Sequence, residues 1–255
     1  MTKTIAVAGK GGTGKTTVAA LLVKLLSQRG LVLAVDADPS TNLSQALGVP
    51  LDENRTVGRI REKMSEDVSR GRLSPTVSKQ EYLFGKILEC LVESKGFDLL
   101  SMGRPEGPGC YCASNEFLRA SLDKLVKDYR YNYIVIDCEA GMEHISRQTT
   151  RDVDALLIMS DPTIKGVITA ARMRTLIGEL RSNVGKVGLI LNRVQGPLSP
   201  EIEKAIAESG MELIAMIPED PDMAALEMKG KPVTELPPDS PLQTKVKEIA
   251  EKLGL

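Results

Sequence analysis

The chain has 255 residues, 42% of them hydrophobic and 26% charged, which excludes the disordered and fibrous classes and is typical of globular proteins. Lysine and arginine number 33 against 34 acidic residues, and this balance argues against broad electrostatic binding to nucleic acid. No apolar run reaches the length of about 18 residues that a transmembrane helix needs, so we expect no membrane partner. Because there are four cysteines and no sign of a secretory signal, we expect a cytoplasmic location and thiols that are free or bind metal.

A glycine-rich motif lies close to the start of the chain. Residues 9–16 read G-K-G-G-T-G-K-T, a match to G-x-x-x-x-G-K-[ST], between an apolar run and a helical pattern. This order predicts a phosphate-binding P-loop, with Lys15 on the β- and γ-phosphates and the Thr16 hydroxyl on Mg²⁺. A glycine turn that merely joins a strand to a helix is the alternative interpretation. The residues expected to contact ATP or ADP in this loop are Gly11, Gly12, Thr13, Gly14, Lys15, Thr16 and Thr17.

Apolar runs of strand length recur along the chain and alternate with helical patterns. Continuous apolar runs indicate strands that are covered on both faces, as in parallel sheets. We therefore predict an α/β fold, with a doubly wound, mostly parallel sheet of about seven strands in a single P-loop NTPase domain at residues 1–255. The predicted strands lie at 4–8, 31–35, 97–100, 133–136, 155–159, 187–191 and 213–217. Helices are predicted after the P-loop, near 116–129, 165–182 and 200–209, and at the C-terminus.

Residues 51–96 interrupt this alternation. They are rich in charged residues and predict two helices, near 56–66 and 80–94. A solvated helical excursion at the sheet edge and a surface that contacts a partner both fit this pattern, because charge patterning alone rarely locates an interface.

Three aspartates follow predicted strands. Asp36 and Asp38 follow the second strand, and Asp137 ends the apolar run 134–136 in the Walker B form. Open α/β sheets bind ligands at the carboxyl edge of their strands, so we expect these carboxylates near the P-loop. Asp137 is expected to hold Mg²⁺ through water, because this small ion keeps much of its hydration. Asp36 is either a secondary Mg²⁺ or switch residue or a turn or cap residue.

The P-loop contains a second lysine, Lys10, and its sequence K-G-G-T-G-K-T resembles the deviant Walker A motif of the MinD, ParA and nitrogenase iron protein class. The resemblance implies that Lys10 crosses a homodimer interface to reach the partner subunit's nucleotide. It also implies that Asp38 orients the attacking water, with residues 38–42 as switch I. Two subunits that close around ATP would make the nucleotide a dimerisation switch, since the γ-phosphate supplies contacts that ADP lacks. For Lys10, a solvated loop charge is the alternative.

The same resemblance assigns further residues. It implies that Asn192 and Pro218, each at the end of a predicted strand, contact the adenine base. The side-chain amide of Asn192 has a donor and an acceptor that can pair with the adenine edge. Helix capping is the alternative role for Asn192. Residues 138–143 resemble switch II, with Glu139 in the place of the family's proline.

Two cysteines, Cys110 and Cys112, lie in the Gly/Pro-rich sequence G-P-G-C-Y-C. The spacing alone is a weak signal, but the loop follows a predicted strand and precedes a predicted helix, whose end favours the thiolate form. Two thiolates fill only two of the four ligand positions of a tetrahedral ion. In a two-fold symmetric dimer each cysteine occurs twice, so the two copies together supply four sulfur ligands. A pair of buried, inert thiols is the alternative.

Residues 102–112, which read M-G-R-P-E-G-P-G-C-Y-C, resemble the CooC and AcsF family of nickel-insertion ATPases when taken with the P-loop and with A-G-M-E-H at 140–144. The resemblance spans nearly the whole chain. It implies a homodimeric ATPase that holds Ni²⁺, or Zn²⁺ in competition, on Cys110 and Cys112 and delivers nickel to carbon monoxide dehydrogenase or acetyl-CoA synthase. Two other functions stay open: an iron protein type reductase with an intersubunit 4Fe–4S cluster on Cys110 and Cys138, and a MinD or ParA-like positioning ATPase.

Overall fold

A computed structural model of the chain describes residues 2–70, 78–103, 122–139, 152–179 and 183–255, in which strands alternate with helices. The strands are β1 (Lys3–Gly9), β2 (Val32–Asp36), β3 (Val92–Ser94), β4 (Phe97–Ser101), β5 (Tyr133–Asp137), β6 (Asp152–Ser160), β7 (Asn183–Val194) and β8 (Glu212–Pro218). The helices are α1 (Lys15–Leu26), α2 (Asn42–Leu47), α3 (Val57–Ser69), α4 (Lys79–Cys90), α5 (described residues 122–129), α6 (Ile164–Glu179), α7 (Pro200–Ser209), α8 (Pro221–Met228) and α9 (Pro241–Lys252). Short 3-10 turns lie at Glu53–Arg55 and Val233–Glu235.

The described strands form one sheet in the order β3-β4-β2-β5-β1-β6-β7-β8. All neighbouring strands are parallel except β3 and β4. From β1 the chain builds one side of the sheet through β2, β4 and β5, and then the other side through β6, β7 and β8. The predicted doubly wound α/β fold is confirmed, and each of the seven predicted strands is present.

The number of strands exceeds the prediction by one. The predicted helix over 80–94 is wrong at its end, because α4 stops at Cys90 and the next residues form β3, an antiparallel edge strand beside β4. Lys95 and Gly96 connect the two strands. Gly96 has a φ of 85°, which glycine adopts readily and which suits a two-residue hairpin turn.

Apolar side chains of the central strands are buried on both faces of the sheet. In β2, Leu33 and Val35 belong to the cluster that includes residues of α3, α4 and α6. Val32 and Ala34 belong to the opposite cluster, with residues of α1, α2 and α9. Helices therefore cover both faces, which is why the strands read as continuous apolar runs.

The region 51–96 contains α3 and α4 in addition to β3. Ser78 caps α4, because its hydroxyl accepts the Glu81 N–H at 3.1 Å, and the same hydroxyl donates to the Glu81 carboxylate at 2.9 Å. Val57, Ile60 and Ile87 join the core, so one face of each helix packs on the sheet. A role for this region in contacting a partner stays a prediction. Across the described ranges, no helix has the length and apolar character needed to cross a membrane.

Candidate functional site

The P-loop joins the end of β1 to the start of α1 at the carboxyl edge of the sheet. Its glycines take backbone angles that other residues rarely adopt, with φ of 79° at Gly12 and 90° at Gly14. A Cβ atom at Gly14 would overlap the side-chain amide of Asn192. Glycine is therefore required at this position by both backbone conformation and space.

The Lys15 side chain lies inside the loop. It is 7% exposed, and its Nζ donates to the Lys10 carbonyl at 3.4 Å. The Thr13 hydroxyl donates to the same carbonyl at 2.8 Å. The loop thus keeps an ammonium group close to its backbone, where a phosphate anion would be attracted. The Lys10 side chain is exposed, so it is free to reach outward, and its role toward a partner's nucleotide stays a prediction.

Thr16, which is half-buried, and Asp137, which is buried, form a polar pair at the start of α1 and the end of β5. The Thr16 hydroxyl donates to Asp137 Oδ2 at 2.6 Å, whereas Asp137 Oδ1 has no hydrogen-bond partner among the described residues. Burial raises the pKa of Asp137 to about 6, although the Thr16 hydroxyl and the Lys15 ammonium lower it. A buried carboxylate oxygen without a partner, next to a hydroxyl, matches the oxygen ligands that Mg²⁺ prefers. These residues therefore fit the ion that the P-loop implies.

Asp36 lies beside this pair and is fully buried. It stands in register with Asp137 of β5 on one side and with Ser101 of β4 on the other. Its carboxylate accepts the N–H groups of Asp38 at 3.2 Å and Leu43 at 2.9 Å. Burial, followed by the charge of Asp137, raises the pKa of Asp36 to about 7, against the lowering effect of the two N–H groups. The sequence left two roles open for Asp36, a secondary Mg²⁺ or switch residue and a turn or cap residue. These two hydrogen bonds are contacts of the turn or cap role.

The backbone of Asp36 contacts the segment that leads to the C-x-C motif. The Met102 N–H donates to the Asp36 carbonyl at 2.8 Å, and the Gly58 N–H donates to the Met102 carbonyl at 2.8 Å. Gly103 has a φ of 64° and packs against Thr56 so closely that a Cβ would lie 2.5 Å from its hydroxyl. The start of the segment 102–112 is thereby fixed to β2 and to the start of α3. Cys110 and Cys112 themselves lie outside the described residues.

The predicted base-contacting residues lie at the carboxyl ends of β7 and β8. Asn192 is buried, and its Nδ2 donates to the Thr13 carbonyl at 2.8 Å while its Oδ1 accepts the Arg193 N–H at 3.0 Å. Asn192 therefore supports the P-loop backbone, a role that the sequence did not indicate because the two residues are 179 positions apart. Pro218 is the last residue of β8, and its contact with a base stays a prediction.

Asp220 has a structural role that the sequence reading missed. Its carboxylate accepts the Asp222 N–H at 3.0 Å and the Leu242 N–H at 3.1 Å, so it caps the start of α8 and also bonds the first turn of α9. The sequence signal was available, since an aspartate directly before Pro221 is a typical helix start.

Comparison with known proteins decides the family. The chain matches the model described as CbiA, the CobQ/CobB/MinD/ParA nucleotide binding domain, over residues 4–233. The chain belongs to this family. It is 43% identical to an uncharacterized ATP-binding protein of Methanocaldococcus jannaschii, over 98% of this chain and 97% of that protein. It is 32% identical to the carbon monoxide dehydrogenase accessory protein CooC of Rhodospirillum rubrum, over 92% of this chain and 90% of that protein.

A solved structure agrees with this result. The MinD cell division protein of Aquifex aeolicus superposes with a TM-score of 0.67 at 25% identity, and the match covers 99% of this chain and 96% of that chain. Family and geometry together identify a MinD/ParA-type ATPase that binds ATP or ADP with Mg²⁺.

The cysteines of this MinD/ParA-type ATPase that the structure describes are both buried. Cys138 is 1% exposed, and burial, followed by the charge of Asp137, raises the pKa of its thiol well above the usual range. Cys90 lies in the core at the end of α4. Within the described ranges, no group of three or more His, Cys, Asp or Glu residues could hold a metal ion. Metal binding by Cys110 and Cys112 stays a prediction.

Proposed function

We propose that this MinD/ParA-type ATPase is a nickel-insertion accessory protein that matures carbon monoxide dehydrogenase or acetyl-CoA synthase. The observation that carries the proposal is the C-x-C sequence at Cys110 and Cys112 in a chain 32% identical to CooC over 92% of its length. A positioning ATPase has no evident use for a cysteine pair in a Gly/Pro-rich loop.

The ATPase step uses residues at the carboxyl edge of the sheet. Lys15 binds the β- and γ-phosphates, and Thr16 and Asp137 hold Mg²⁺, which supplies positive charge to the phosphates when bound. Asp38 orients the attacking water. Lys10 reaches the nucleotide of the partner subunit, so that ATP favours a homodimer.

The transported metal is held where two copies of the chain meet. Each copy contributes Cys110 and Cys112, which gives four sulfur ligands on the two-fold axis. Thiolates bind Ni²⁺ and Zn²⁺ well, and both ions compete for such a site. The protein works in the cytoplasm, where thiols stay reduced, and residues 1–255 act as one domain.

The test is a nickel titration of the full-length protein with its oligomeric mass measured in parallel. The native protein is expected to bind one Ni²⁺ per homodimer. The variant Cys110→Ala is expected to lose this binding, whereas Cys90→Ala, which removes a buried cysteine of α4, keeps it. Unchanged Ni²⁺ affinity in Cys110→Ala would remove the cysteines from the proposal.

The nucleotide roles are tested by two variants. Lys15→Ala is expected to abolish ATP turnover, because the loop loses the ammonium group that contacts the phosphates. Asp38→Ala is expected to bind ATP normally but to hydrolyse it about 100-fold more slowly, as for loss of a group that positions the nucleophile. A normal hydrolysis rate in Asp38→Ala would contradict the role given to this residue.

An iron protein type reductase is the less favoured alternative. It would need Cys138 as a cluster ligand, and that thiol, directly after β5, is buried in the core. Anaerobic reconstitution with iron and sulfide distinguishes the two functions, since a broad visible absorption band would favour a cluster.

A positioning ATPase is the second candidate, favoured by the structural likeness to MinD of Aquifex aeolicus. It predicts ATP-dependent co-sedimentation with anionic lipid vesicles or with DNA. The metallochaperone predicts no such co-sedimentation.

A further inference from the structure

The carboxylate of Asp36 caps a helix from a distance. Leu43 is the second residue of α2, and its N–H donates to Asp36 Oδ2 at 2.9 Å. Thr41, which occupies the N-cap position, makes no side-chain capping bond within the described structure. The cap of α2 is therefore supplied by a residue seven positions earlier, at the end of a different element.

The backbone between Asp36 and α2 is held in an unfavourable conformation. Thr41 has a φ of 52°, a left-handed angle that costs a β-branched residue on the order of 1 kcal/mol or more. Such a conformation persists only where surrounding contacts impose it. The contacts include the two hydrogen bonds to Asp36, the Thr41 N–H to the Asp38 carbonyl at 3.1 Å and the Ser40 N–H to the Asp38 carboxylate at 2.8 Å. The Ser44 hydroxyl also donates to the Thr41 carbonyl at 3.0 Å.

Asp38 is held at the centre of these contacts. Its N–H is fixed by Asp36, and its carboxylate and carbonyl fix the two residues before α2. The direction of the Asp38 side chain therefore depends on Asp36, which is itself immobilised in the sheet between β4 and β5.

We propose that Asp36 is a positioning residue for ATP hydrolysis, which holds the backbone of Asp38 and the start of α2 and acts on the reaction through Asp38. This inference rests on the role of Asp38 proposed above. The Asp36 carboxylate uses both oxygens on backbone N–H groups, so it orients switch I and does not bind the nucleotide.

The test compares Asp36→Asn with a matched variant in full-length protein. Asparagine keeps the size of the side chain but replaces one acceptor oxygen by an NH₂ group that faces an N–H donor. We expect kcat for ATP to fall about 10- to 100-fold, the effect of one lost buried hydrogen bond on a positioned group, with KM changed by less than about 3-fold. The control is Asp98→Asn, which removes another buried carboxylate. Asp98 lies in β4, and its carboxylate accepts the Tyr131 hydroxyl. The kcat of Asp98→Asn is expected to stay within about 2-fold of the native value.

A double variant decides whether Asp36 acts through Asp38. If it does, Asp36→Asn combined with Asp38→Ala hydrolyses ATP no more slowly than Asp38→Ala alone, because the positioned group is already missing. Additive losses would overturn the proposal, as would a normal kcat or a raised KM with unchanged kcat in Asp36→Asn.

The outcomes separate this inference from the function on which it rests. A normal rate in Asp38→Ala would refute the role of Asp38. If Asp36→Asn were slow in that case, Asp36 would act on hydrolysis by another route, and positioning through Asp38 would be refuted as well. If both single variants were slow but their losses added, only the inference about Asp36 would fail.

Discussion

The substitution Asp36→Asn is expected to change how the stability of the protein depends on pH. The native carboxyl is fully buried, and burial, then the charge of Asp137, raises its pKa from 3.8 to about 7. The protonated form is thus favoured in the folded protein and the ionised form in the unfolded chain. The contribution of this group to stability is fully present below pH 3.8 and is lost as the pH rises through about 7.

The size of the loss follows from the two pKa values. Between pH 5 and pH 8 the unfolded carboxyl is ionised throughout, while the folded carboxyl remains protonated until the pH approaches 7. At about 1.4 kcal/mol per pH unit, the native protein loses about 3 kcal/mol of unfolding free energy over this interval from Asp36 alone. Asparagine does not titrate. The hydrogen bond that Asp36→Asn disrupts costs a similar amount at both pH values and cancels in the comparison.

Urea unfolding at pH 5 and pH 8, without nucleotide or Mg²⁺, measures this difference. The unfolding free energy of Asp36→Asn minus that of the native protein should rise by about 3 kcal/mol from pH 5 to pH 8. The exposed residue Asp239 provides the control Asp239→Asn, for the loss of one surface charge. An equal difference at both pH values, or a larger one at pH 5, would show that the buried carboxyl does not carry the raised pKa.

Three further variants test other contacts of the site. Thr16→Val removes the hydroxyl that bonds Asp137, so the Mg²⁺ concentration for half-maximal ATPase activity should rise about 10-fold in a magnesium titration. Gly14→Ala places a Cβ against the Asn192 amide at a φ of 90°, and should weaken ADP binding by at least about 10-fold in calorimetry. Asp220→Ala frees the N–H groups of Asp222 and Leu242 and should lower the unfolding free energy by about 2 kcal/mol in urea.

Thr16→Val and Gly14→Ala each have a matched control, and for Asp220→Ala one result would contradict the expectation. Thr169→Val removes the hydroxyl of a half-buried threonine of α6, which donates to the Lys165 carbonyl at 2.8 Å, and should leave the Mg²⁺ requirement close to that of the native protein. Gly178→Ala, at a helical glycine with open space around its Cβ, should bind ADP normally. If Asp220→Ala unfolded at the native urea concentration, its two hydrogen bonds would not contribute to stability.

The strands were predictable because their cause is local. β1, β2 and β6 contain uninterrupted apolar runs at residues 5–8, 32–35 and 155–159, and burial on both faces of a parallel sheet requires this pattern. β3 was not predictable in the same way. A strand of three residues directly after a helix is too short to show a period of its own, and it forms because Gly96 turns the chain back onto β4.

The site was predictable at the level of motifs but not of contacts. The P-loop and Asp137 are recognised from residue types at fixed spacing, and the structure brings Thr16 to Asp137 as that motif implies. The support of the P-loop by Asn192 and the capping of α2 by Asp36 depend on how separate segments pack, which no local pattern records. The predicted metal-binding role of Cys110 and Cys112 rests on the sequence alone.

Asp36 serves two segments at once, through different groups. Its carboxylate accepts the N–H groups of Asp38 and Leu43, while its carbonyl accepts the N–H of Met102, whose own carbonyl accepts the N–H of Gly58. Any displacement of the end of β2 during hydrolysis would also move the start of the segment 102–112, or would break the hydrogen bond from the Met102 N–H to the Asp36 carbonyl. Hydrogen bonds of Asp36 and Met102 thus join the residues before α2, the start of the segment 102–112 and the start of α3.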